Sequence, residues 1–94
     1  MIKDEKFLIL SAESTHLIIK LEKNFLDKEI PCRVIPLPTE ISANCGLSVR
    51  VEIEYAEVIK KIVEEEKIKV TISLVEKHGL KKNIKMIYSA TQGE

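Results

Sequence analysis

Charge of one sign, glycine, aromatic rings and long apolar runs are all scarce in this chain, and each scarcity argues against a class of function. In 94 residues, 15 acidic side chains balance 15 basic ones. No global field therefore gathers nucleic acid or a membrane surface, which disfavours a generic polyanion binder. Three scattered glycines build no phosphate-cradling loop, and two phenylalanines with two tyrosines offer little for base stacking. No apolar run approaches the roughly 18 residues of a membrane span, and Met1 to Lys6 lead into an apolar stretch too short for a signal peptide. The expected location is the cytoplasm. Two cysteines are fewer than a small secreted scaffold usually carries, so free thiols are expected in a reducing compartment. The length allows one domain with a single modest core and no large enclosed substrate cavity.

What is present is an ordered change of hydrophobic period. Phe7-Leu8-Ile9-Leu10 is a continuous apolar run, which suits a strand buried on both faces. From Thr15 to about Lys28, Leu17, Ile18, Leu21, Phe25 and Leu26 recur at helical spacing, and Ser14 is placed to cap the helix start. Cys32 to Ile35 reads as an extended segment, but Pro31, Pro36 and Pro38 flank it. Proline cannot donate to a central ladder, so this second strand is predicted at a sheet edge. Leu47, Val49 and Val51 alternate with Ser48, Arg50 and Glu52 as a strand with one buried face. A second amphipathic helix follows from about Glu54 to Glu66, and Val70, Ile72 and Leu74 mark a fourth strand. The order predicts an α+β, ferredoxin-like split βαβ fold: a four-stranded antiparallel sheet with both helices on one face. The domain is drawn over 1–75, with 76–94 as a basic C-terminal extension carrying Lys77, Lys81, Lys82 and Lys85, read as a short extra strand, a docking tail or a solvated appendage.

In that fold the hairpin loop "PLPTEISANCGLS", residues 36–48, reaches the rim where the first helix begins. Ser14, Thr15 and His16 would then lie beside Cys45 and Gly46. A thiolate is the nucleophilic form of cysteine, and a helix N-terminus lowers thiol pKa values. His16 could support the thiolate, Ser14 and Thr15 add hydroxyls, and Gly46 leaves room beside the sulfur and permits a positive φ. Pro36 and Pro38 stiffen the approach. The plain alternatives are that Cys45 is a small loop residue, that His16 is a solvated or capping residue, and that the prolines only protect an edge. Cys32, in a strand with alternating neighbours, reads as half-buried and structural. A metal site from Cys32, Cys45, His16 and His78 has no supporting spacing, and no metal or cofactor is assigned.

The stretches "STH" at 14–16, "EK" at 22–23 and "IPCRVIPLPTEISANCGLSVRV" at 30–51 resemble the small bacterial family described as selenium/sulfur carrier protein-like. The resemblance covers roughly residues 6 to 75. It rests on Thr15, His16, Arg33, Pro36, Pro38, Glu40, Ser42, Cys45 and Gly46. Thr39 stands where the family usually has arginine, and Cys32 where it usually has an aliphatic residue. The resemblance implies a sulfur or selenium carrier with Cys45 as acceptor, and binding roles for Arg33, Glu40 and Ser42 beside Gly46, Pro36 and Pro38. The implied partners are a donor of the cysteine desulfurase or selenocysteine lyase type and an acceptor protein. This favours a carrier over a stand-alone enzyme, without nucleic acid or membrane partners. Two alternatives are a non-catalytic interaction or regulatory module and a redox sensor using Cys32 and Cys45.

Overall fold

The computed structural model describes residues 4–37 and 46–89. Five strands, β1 (Asp4–Ser11), β2 (Cys32–Pro36), β3 (Leu47–Glu52), β4 (Thr71–His78) and β5 (Lys81–Ser89), form one antiparallel sheet in the order β2-β3-β1-β4-β5. Two helices, α1 (Thr15–Asp27) and α2 (Ala56–Glu65), complete the α+β fold, with a single 3-10 turn (Ile53–Tyr55) before α2. The expected four-stranded sheet is thereby corrected to five. The split βαβ arrangement is compatible with β1 to β4 only. β5 is not a short addition: its nine residues make it the longest strand, and the boundary drawn after residue 75 falls inside β4.

The apolar run of β1 explains its central place. Phe7, Leu8, Ile9 and Leu10 are all buried because each neighbour strand covers one flank and each face carries a cluster. On one face Leu8, Leu10, Val49, Val51 and Ile72 meet Ile18, Leu21 and Phe25 of α1 and Ile59, Ile62 and Val63 of α2. Both helices therefore cover the same face. The other face holds a smaller cluster of Phe7, Ile9 and Val75, flanked by Ile35, Leu37 and Ile84. The short dimension of the molecule, 20 Å, accommodates one sheet and one helix layer.

Helix ends are set by local chemistry. Ser14 caps α1, its side chain accepting from the Leu17 N–H at 3.0 Å. Both helices stop in the same way. Ile30 N–H donates to Phe25 C=O at 2.8 Å and Glu29 N–H to Leu26 C=O at 3.0 Å; Ile68 N–H donates to Val63 C=O at 3.0 Å and Lys67 N–H to Glu64 C=O at 3.3 Å. These are paired Schellman closures, in which a residue in the left-handed region follows the C-cap. That residue is Glu29 (φ 64°) in one and Lys67 (φ 54°) in the other.

β2 lies at an edge, where Pro36 interrupts no central ladder. At the other edge, Gly79 (φ 64°) and Leu80 join β4 to β5, with His78 opposite Lys81. A glycine at positive φ in the first of two loop positions is the type II′ pattern that matches strand twist.

Candidate functional site

The register decides which candidate residues share a rim. Ser11, the last residue of β1, stands opposite Ser48 of β3 and Thr71 of β4. Only two residues separate Ser11 from the Ser14 cap of α1, and one separates Ser48 from Gly46, so the α1 N-terminus and Gly46 lie at the same end of the sheet. There Leu37 N–H donates to Gly46 C=O at 2.9 Å, next to the Pro36 and Leu47 pair. His16 is exposed in the first turn of α1, which contains no acidic residue, so the positive end of the helix is not offset within that turn. Ser14 uses its oxygen as the cap, which leaves its hydroxyl proton for another partner. Gly46 leaves open space, since a Cβ there would meet nothing within 4 Å. Pro38, Glu40, Ser42 and Cys45 lie outside the described residues, and so does the expected contact between Cys45 and His16.

Arg33 is placed elsewhere. It pairs with Arg50, four positions along β3 from Gly46, or about 13 Å at the strand rise. Arg33 and Arg50, with Pro31, Cys32 and Glu52, line a cavity of about 210 Å³ at the β2 edge. The Arg50 guanidinium stacks on the Phe7 ring at 3.9 Å from its centroid, and Lys77 lies 5.7 Å from the same ring.

Cys32 is half-buried, as its strand pattern predicts, and its thiol donates to the Glu22 carbonyl at 3.7 Å. Burial, reinforced by the negative charge of Glu22, pushes its pKa up to about 11. This cysteine stays protonated near neutral pH and is a poor nucleophile. His78 sits opposite Asp4, seven residues along β4 from the rim at Thr71, so it does not join His16 in one metal site.

Two features escaped the sequence reading. The sequence pattern marks Arg50 only as a polar alternation partner, and Ser48, polar in the same alternation, is fully buried, its hydroxyl donating to the Ile35 carbonyl at 3.3 Å. The signal available for Arg50 was its register with Arg33, which depends on a loop length that periodicity does not fix.

Sheet and helix layer define a small α+β domain in which Leu37 and Gly46 lie at the end of the sheet from which α1 starts. The chain belongs to the family described as "Putative Se/S carrier protein-like", whose model matches residues 7–73. That span runs from β1 into β4 and leaves β5 outside. No curated protein and no solved structure matches the chain. Among the described residues, no helix is long and apolar enough to cross a membrane.

Proposed function

We propose that this protein carries sulfur or selenium as a persulfide or selenenylsulfide on Cys45 and passes it between partner enzymes. The observation that carries the reading is membership of the carrier-like family across residues 7–73, a span that includes Cys45. The register supports it by bringing the open end of α1 and Gly46 to one rim. In this reading β1 to β4 and the two helices serve as a ferredoxin-like frame, and the protein works in the cytoplasm.

The chemistry needs no resident cofactor. The Cys45 thiolate attacks the terminal sulfur or selenium of a donor persulfide, the donor bond to that atom breaks, and the donor leaves as a thiolate. No net oxidant is consumed. His16 and the helix terminus favour the thiolate, Thr15 and Ser14 add hydroxyl donors, and Pro36, Pro38, Glu40 and Ser42 shape the arm that a partner meets.

Incubation with a cysteine desulfurase and cysteine, or with selenocysteine and its lyase, should add one sulfur or selenium atom by intact mass, reversible by a reductant. The adduct should map to Cys45, and His16→Ala should slow its formation. Loading that persists in Cys45→Ser, or that never occurs while a partner still binds the unmodified loop, moves the function to a non-catalytic interaction module.

A further inference from the structure

Arg33 and Arg50 stand directly opposite each other on β2 and β3, so their side chains leave the same face of the sheet. Like charges in that relation are destabilising unless something negative lies between them. Little does. The Arg33 side chain makes no hydrogen bond, ion pair or ring contact among the described residues. Arg50 reaches Glu52 only at 3.9 Å, beyond hydrogen-bond distance, and that carboxylate is 57% exposed. The Phe7 ring lies 3.9 Å from the Arg50 guanidinium carbon and covers one side of the group. Lys77 adds a third positive charge over the same ring, with Glu5 as its cross-strand neighbour. The Cys32 side chain leaves the opposite face of β2, against the helix layer, and brings no charge between the two arginines.

We propose that the cavity between Arg33 and Arg50 binds a small tetrahedral oxyanion of the sulfate or phosphate class. Both arginines line it as cross-strand partners, and charge-assisted, bidentate bonding to oxyanions is what the planar fork does best. A space of about 210 Å³ admits such an ion with a few waters and is open at the edge strand, so entry requires no movement of the sheet. Glu52 competes with the bound ion for Arg50. The proposal goes beyond the carrier reading and stands without it, since no cysteine takes part.

The test is an amide-resolved NMR titration of the full chain with sodium sulfate and sodium phosphate, against sodium chloride at matched ionic strength. Saturable shifts are expected at Cys32, Arg33, Arg50 and Glu52. Arg33→Gln and Arg50→Gln should each weaken binding by about 10-fold or more, and Arg33→Lys by less, because the charge stays while the fork is lost. Glu52→Gln should tighten binding, an effect that a merely structural role for these residues would not produce. Unchanged shifts far from the cavity report that each variant is folded; if Arg50→Gln is not, Arg50→Lys takes its place. Non-saturating shifts unaffected by Arg33→Gln mean an adventitious ion only and overturn the proposal. So does weaker binding in Glu52→Gln, and so does saturable binding of an acidic peptide where the free anions give none, which would make the pocket a protein-docking feature.

Discussion

The thiol of Cys32 donates to the carbonyl of Glu22, and burial together with the Glu22 charge holds its proton in place. Iodoacetamide near neutral pH should modify Cys32 about 10- to 100-fold more slowly in the native protein than in denaturant, because only the thiolate reacts. The rise from 9.0 to about 11 also has a sign in stability. Below pH 9 both folded and unfolded chains keep the proton, and the contribution is fully present. As pH rises through 9 toward 11 the unfolded chain loses its proton first, so stability falls. Cys32→Ala should flatten that part of the urea-midpoint profile against pH; an unchanged slope would show that Cys32 is not its source. Residue-level prediction was strongest where local chemistry decides: the Ser14 cap and the half-buried Cys32 follow from neighbours in sequence. It was weakest where tertiary register decides. Arg50 facing Arg33, and Ser48 buried against Ile35, are set by strands that meet only after the loop closes.

Element boundaries were legible wherever the period held. α1 ends within a residue of its predicted limit, and the alternation from Leu47 to Glu52 is the whole of β3. β5 was only faintly visible, for a physical reason. Ile84 packs on the second face and Met86 shares its parity, but a register irregularity opposite Ile72 and Ser73 puts Tyr88 opposite Ile72, and Ile87 and Tyr88 pack on the helix side. A bulge moves apolar residues from one face to the other, and a count of alternate positions reads this as noise. The two helix closures carry a prediction of their own. An L-residue in the left-handed region costs roughly 1–2 kcal/mol, while glycine returns part of that as unfolded-state entropy. Glu29→Gly and Lys67→Gly should therefore each stabilise the fold by about 0.5–1 kcal/mol in urea unfolding. Equal destabilisation by both would mean that side-chain contacts at these positions outweigh the backbone term.

On the scale of the whole molecule, the ordering β2-β3-β1-β4-β5 places the first strand in the middle of the sheet. Its partners are residues 48–52 on one side and 71–78 on the other. Each α-helix can form within its own segment, but β1 can satisfy both of its edges only after two chain loops, of some forty and sixty residues, have closed. The entropic cost of closure precedes the contacts that offset it, which places folding nearer the slow, millisecond-or-longer end for domains of this size. In a stopped-flow series, Ile9→Val and Leu10→Ala in β1 should act mainly on the unfolding rate if β1 docks late, and on the folding rate if it belongs to the nucleus. Late docking is expected. On a ribosome the same geometry means that β1, made before both of its partner strands, keeps one flank of Phe7 to Leu10 unpaired until β4 has been synthesised and has cleared the exit tunnel.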